Sequence, residues 1–124
     1  VITLGTNDGK RQVDTGNAPD YAACLTSFVS QLLADSPAAK IVLLIPMVSS
    51  ISAINTYLTS VVSPAIAAIV AAYPASVASA NAYGLGAGSG GTLVLAADGV
   101  HATRYGYDAI AMLVAKAAAS LLGL

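Results

Sequence analysis

The one histidine of this chain, His101, stands three residues after Asp98 in Asp98-Gly99-Val100-His101. A carboxylate at that spacing can fold back onto the imidazole. If it accepts the Nδ1 proton, it holds the tautomer whose Nε2 is free to take a proton from a nucleophile. A second polar group, Gly5-Thr6-Asn7-Asp8, follows a short apolar run at residues 1–4. An asparagine amide there is a neutral donor suited to an oxygen that gains negative charge during acyl transfer, an effect of about 3 kcal/mol per donor. Each motif also has an ordinary structural use. A histidine at a helix start often caps it, and Gly-x-Asn-Asp is common turn composition. What the two groups mean therefore depends on the elements that carry them.

Residues 1–4, Val-Ile-Thr-Leu, predict a strand ending in a loop. The polar stretch 8–17, with Gly9 and Gly16, is expected to continue that loop. Asn17 or Ala18 before Pro19 then reads as a helix start, because proline suits a first turn whose N–H would be unpaired anyway. Tyr21, Cys24, Leu25, Phe28, Val29, Leu32 and Leu33 fall on one apolar helix face that ends near Asp35-Ser36-Pro37. On that stripe Cys24 is assigned to core packing.

Ile41-Val42-Leu43-Leu44-Ile45 is too short for a helix and is closed by Pro46, the pattern of a parallel strand buried on both faces. Residues 52–72 carry Ile54, Leu58, Val61, Val62, Ile66, Ile69 and Val70 in helical rhythm, with Pro64 expected to kink or restart the helix and Ser63 to cap it. A weaker strand is expected at 77–82, then a Gly-rich loop at 84–91. From Thr103 onward Tyr107, Ile110, Ala111, Val114, Ala117, Ala118 and Leu121 mark a last helix, which Gly106 lets approach the sheet closely. The order strand, helix, strand, helix, strand, helix is that of an α/β fold without internal repeat or linker. In an open parallel sheet ligands sit at the carboxyl ends of the strands, so Asn7 is expected to face that crevice.

Composition narrows the partners. The 124 residues are 56% hydrophobic, ample for one core, and the formal net charge of −1 gives no electrostatic case for nucleic acid. No Asp, Glu, Lys or Arg occurs between Ile41 and Ala97. A membrane crossing wants roughly 20 mostly apolar residues. Pro46, Pro64 and Pro74, with Ser49, Ser50, Ser52, Asn55, Thr56, Thr59, Ser60 and Ser63, are expected to interrupt every such window, so no membrane span is expected. A single cysteine excludes an internal disulfide framework and any multi-cysteine metal site. The chain opens at Val1 inside a strand pattern, without methionine, which leads us to expect a piece whose preceding strands lie outside it.

Together the two motifs resemble the SGNH (GDSL-type) serine ester hydrolase family, in which a Gly-x-Asn-Asp block follows the third strand and an Asp-x-x-His block precedes the last helix. Val1-Ile2-Thr3-Leu4-Gly5-Thr6-Asn7-Asp8 looks like the first block, and Asp98-Gly99-Val100-His101-Ala102-Thr103-Arg104-Tyr105-Gly106-Tyr107 like the second. Their order, and a separation of roughly ninety residues, also suit the family and its ligand-side geometry. The resemblance implies a single incomplete domain over 1–124, a partial flavodoxin-like three-layer α/β fold whose first strands are missing. It implies that Asn7 is an oxyanion-hole donor, His101 the general base and Asp98 its orienting carboxylate. Gly5 would keep the turn tight, Asp8 would hold the loop by hydrogen bonds, and neither metal nor organic cofactor would be needed.

Two departures stand out. Ala102 occupies the place where the family commonly has proline. More importantly, no Gly-Asp-Ser nucleophile block occurs in the chain, and neither Ser89 nor the serines near Ser49 have the setting of a nucleophile elbow. The expected activity, hydrolysis of a small-molecule or carbohydrate ester through a serine-acyl intermediate, therefore belongs to a parent protein, and the chain alone should lack turnover. The uncharged stretch and the Gly-rich loop favour a neutral acyl or acetyl ester. The competing reading is a non-catalytic binding or assembly piece that pairs with a separate N-terminal segment along an exposed sheet edge beside residues 1–4.

Overall fold

A computed structural model of the chain describes residues 1–17, 20–86 and 95–124. Three parallel strands, β1 (Ile2–Thr3), β2 (Ile41–Ile45) and β3 (Val77–Asn81), form a sheet in the order β1-β2-β3. Ile2 pairs with Leu43, and β2 pairs along its whole length with β3, from Ile41 opposite Val77 to Ile45 opposite Asn81. All five residues of β2 are buried. Its side chains alternate between two cores, as the pleat requires.

Ile41, Leu43 and Ile45 meet α2 (Tyr21–Asp35) and the helical run 52–72 on one face. Val42 and Leu44 meet the last helix, α5 (Arg104–Leu122), on the other. The result is a three-layer α/β arrangement with helices on both faces of the sheet. Gly106 is buried in the first turn of α5. Thr103 caps it by accepting the Gly106 N–H at 3.3 Å.

The expected loop at 8–17 is instead a helix, α1 (Thr6–Thr15). Gly5, at φ +115°, turns the chain into it, and Gly16, at φ +66°, closes it by donating to the Gln12 carbonyl. Asp8 sits in its first turn, where a negative charge complements the helix dipole, and Lys10 reaches Asp14 one turn on at 2.6 Å. The stretch looked like a loop because it lacks an apolar stripe. Its buried contact is Gly9, which lies against Tyr57. Polar residues on the open face then cost nothing.

Two further expectations, both on α2, need correction. The cap of α2 is Asp20, which accepts the Ala23 N–H at 3.0 Å, and not Asn17; Ala18 and Pro19 lie outside the described residues. On α2 only Tyr21, Leu25 and Val29 are fully buried, while Cys24 is exposed and Phe28 is 47% exposed. The apolar stripe is wider than the surface that covers it, so Cys24 is not a core residue. Most of the Gly-rich loop 84–91 also lies outside the described residues, which place Tyr83–Gly86 in a 3₁₀ turn.

Pro64 neither ends nor restarts a helix. α3 (Ser52–Tyr57) passes through a π turn (Leu58–Val62) into α4 (Ser63–Ala72), and both Val62 and Ser63 are right-handed helical, so Ser63 is no cap. Proline lacks an N–H and crowds the carbonyl four residues back, and the wider π turn just before it relieves both problems. Ser52–Ala72 and Arg104–Leu122 are consequently long and apolar enough to cross a membrane by length and composition. Within the fold Ile54, Leu58, Val62 and Ile66 of the first run are buried in one core, whereas along Arg104–Leu122 only Gly106 and Ala117 are fully buried and Met112 is 72% exposed.

Candidate functional site

The carboxyl ends of β1 and β2 open onto a cavity of about 190 Å³. Thr3, Thr6 and Asn7 line it from β1 and the start of α1; Leu44, Pro46 and Met47 from β2 and the loop after it; Val100, His101 and Ala102 from the loop before α5; and Tyr107 and Ile110 from α5 itself. Asn7 and His101, far apart in sequence, thus border one space. Among the described residues no Asp, Glu, Lys or Arg lines it, and no serine does.

Asn7 owes its place to two glycines. A Cβ on Gly5 would stand 2.8 Å from Val62 Cγ2, and one on Gly9 would stand 3.2 Å from Tyr57 Cδ1. Bare backbone at Gly5, and less strictly at Gly9, lets the start of α1 nest against the 52–72 run, with Asn7 exposed in its first turn. No side chain caps α1. Its first N–H groups, which have no intrahelical acceptor, therefore lie beside the Asn7 amide at the positive end of the helix. Asp8, in the same turn, accepts no side-chain hydrogen bond from the described residues; its charge acts on Tyr21 and Tyr57. Burial first, then Asp8, pushes the Tyr21 hydroxyl up to about 12 and raises that of Tyr57.

The Asp98 and His101 side chains meet directly, Oδ2 to Nδ1, at 2.6 Å. The other carboxylate oxygen, Oδ1, accepts the backbone N–H groups of Val100 and His101, each at 2.9 Å. The His101 backbone N–H, the His101 ring and the Val100 N–H, in that order, hold the Asp98 carboxyl well below the usual carboxylate range. Both side chains are open to solvent, 51% for Asp98 and 72% for His101. The turn is closed at its base by a bridge between Leu95 and Ala102 and by the Ala96 N–H donating to the His101 carbonyl at 2.8 Å. An ionised carboxylate locked on Nδ1 leaves Nε2 as the nitrogen able to exchange a proton.

Sequence reasoning missed the residues that brace this turn. Ser49 is 5% exposed, the one polar residue buried in the described core, and with Ser50 it bonds the Gly99 carbonyl. Gly99 takes φ +68°, and a Cβ there would overlap the Ser50 side chain. Nothing in the local pattern singled these residues out, since Asn55 is one of several polar residues in its run, with Ser52, Thr56, Thr59 and Ser60. Among the described residues, no group of His, Cys, Asp or Glu is placed to hold a metal ion.

Comparison with known proteins adds no relative: no family model, no curated protein and no solved structure matches this chain.

Proposed function

We propose that this chain supplies the general base, its orienting carboxylate and an oxyanion donor of a serine ester hydrolase of the SGNH type, and that the nucleophilic serine comes from outside these 124 residues. The observation that carries the reading is the shared cavity: Asn7 and the Asp98-braced His101 border one pocket at the carboxyl ends of adjacent parallel strands. In that mechanism His101 Nε2 takes the proton of the serine hydroxyl as its oxygen attacks the ester carbonyl. Asn7 stabilises the oxyanion, and the proton passes to the leaving alcohol. His101 then takes a proton from water as the water oxygen attacks the acyl carbonyl, and returns it to the serine oxygen as that oxygen leaves and the free acid is released.

The cavity is small, its walls are mostly apolar, and His101 is its one ionisable group of acid or base character apart from the Tyr107 phenol. These features favour a neutral ester with a short acyl group, acetyl included, on a small-molecule or carbohydrate alcohol. We further read the fold as a partial flavodoxin-like sheet that continues past β1. Support comes from the parallel strands, the helices on both faces and the position of β1 at the sheet edge. The 52–72 run is read as a sheet-packed helix and not as a membrane span, and no cofactor or nucleic acid is invoked.

Incubated alone with p-nitrophenyl acetate, the chain is expected to give no turnover. Supplied with a segment that carries the serine, it is expected to hydrolyse the ester, with His101→Ala costing several orders of magnitude and Asn7→Ala about 10²-fold. Active-site labelling of a serine within this chain, or complemented hydrolysis indifferent to His101→Ala, would sink the proposal. The non-catalytic reading draws on a different observation: at the β1 edge Val1 is 75% and Leu4 47% exposed, beside an apolar groove of about 260 Å³ lined by Leu4, Cys24 and Phe28. Under that reading a complementing segment binds with no hydrolysis. The sequence encoded immediately upstream separates the two, since Gly-Asp-Ser in frame favours the enzyme.

A further inference from the structure

The Asp98 and His101 pair is exposed, and a turn made of glycine and short contacts would lose its shape without support from below. That support comes from the loop between β2 and α3. The Asn55 side chain closes onto Ser49 like a strand partner: the Ser49 N–H donates to Asn55 Oδ1 at 2.7 Å, and Asn55 Nδ2 donates back to the Ser49 carbonyl at 2.7 Å. Ser49 Oγ accepts the Ile51 N–H at 3.1 Å, which further fixes the serine rotamer. The ledge so formed presents two donors to one acceptor. The Ser50 N–H reaches the Gly99 carbonyl at 2.7 Å, and Ser49 Oγ reaches the same oxygen at 3.3 Å.

The position of that acceptor matters. The Gly99 carbonyl and the Val100 N–H belong to one planar peptide unit. Its oxygen is held by Ser49 and Ser50, and its N–H is held by Asp98 Oδ1 at 2.9 Å. A rotation of this plane would withdraw the Val100 N–H from the carboxylate and carry the neighbouring His101 N–H with it. The plane therefore transmits the position of the ledge to the carboxylate that grips the imidazole.

We propose that Asn55 is a positioning residue for Asp98 and His101, acting through Ser49, Ser50 and the peptide plane between Gly99 and Val100. The proposal rests on the reading of this pair as the functional site, yet its test needs no catalysis. Uniformly ¹³C,¹⁵N-labelled chain is followed by NMR at two atoms, Asp98 Cγ during an acid titration and the His101 ring nitrogens in the neutral imidazole. In the parent chain Asp98 is expected to stay ionised well into acid and the neutral ring to keep its proton on Nδ1. Asn55→Ala is expected to move the Asp98 titration upward by about one pH unit or more and to yield a mixture of ring tautomers. Asn55→Asp keeps the acceptor for the Ser49 N–H but loses the donor, and is expected to fall between the two.

Ser49→Ala removes one of the two bonds to the Gly99 carbonyl, together with the acceptor for the Ile51 N–H, and serves if Asn55→Ala fails to fold; it is expected to move both signals in the same direction by less. A folded Asn55→Ala or Ser49→Ala chain with both signals unchanged overturns the proposal. If the signals move as expected while complemented ester hydrolysis proves indifferent to His101→Ala, the positioning role stands and the catalytic reading alone fails.

Discussion

Substituting the buried Gly5 by alanine should be among the more damaging single changes in this chain. Gly5 adopts φ +115° and ψ −29° at the start of α1, and an added Cβ would lie 2.8 Å from Val62 Cγ2 and 3.1 Å from Val62 Cγ1. Two costs arise. Left-handed backbone in a residue with a Cβ costs about 1–2 kcal/mol. Pressing a methyl into the packed Val62 side chain, which is fully buried in the π turn, adds about 1–3 kcal/mol. The combined loss of about 2–5 kcal/mol is a large part of the stability of a small domain.

Gly16→Ala separates the two terms. Gly16 also has positive φ, at +66°, but no atom lies within 4 Å of the added Cβ, so only the backbone cost of about 1–2 kcal/mol applies. Equilibrium urea unfolding measures both variants, with m compared to confirm that the unfolding reaction is the same. Val62→Ala completes a double-mutant cycle. It removes both methyls that Gly5→Ala would strike, so the double variant should be more stable than additivity predicts by about 1 kcal/mol or more. Equal losses for Gly5→Ala and Gly16→Ala, or strict additivity with Val62→Ala, would refute the account of how α1 is seated and with it the positioning of Asn7.

Other outcomes follow from the same contacts. Because the Asp98 carboxyl is held below its ordinary range in the folded chain, its stabilising contribution is full above the unfolded value near 3.8 and is lost as pH falls through the folded value. The stability difference between the parent and Asp98→Asn should therefore shrink on acidification, read by urea unfolding at several pH values. A constant difference would contradict the hydrogen-bond origin of the shift. The Tyr57 hydroxyl is buried with no hydrogen-bond partner among the described residues, so Tyr57→Phe should be neutral or stabilising, by up to about 1–3 kcal/mol; a clear loss in thermal unfolding would mean a partner exists. Cys24 is exposed, so a maleimide should label the native chain as fast as the urea-unfolded one. Phe28→Ala on the same helix should cost well under the value for a core phenylalanine.

Much of the frame was legible in the residues because it depends on short-range periodicity. Five consecutive apolar residues closed by Pro46 have the pattern of a strand covered on both faces, and all five of Ile41–Ile45 are buried in one. The 3.6-residue rhythm marked α2, the 52–72 run and α5, and the alternation of strands with helices marked α/β. The spacing of Asp98 and His101 also sufficed for their contact, since a three-residue turn leaves few other places for the carboxylate to go.

Where the burial of a face is decided by a neighbour distant in sequence, local pattern was not enough. Helix α1 has no apolar stripe because it is seated by Gly9 against Tyr57, a contact made across some fifty residues of chain. Cys24 and Phe28 share the stripe of α2 but lie beyond the surface that Leu25 and Val29 cover. By local rules Pro64 is expected to kink or restart a helix capped by Ser63, yet Val62 and Ser63 are right-handed helical and a π turn leads straight into α4. The sequence alone determined which side chains could hold a proton or an oxyanion. Only the tertiary structure decided that Asn7 and His101 border one cavity, and that Ser49, Ser50 and Asn55 brace the turn beneath them, because a side chain's neighbours across the sheet depend on the packing of the whole chain.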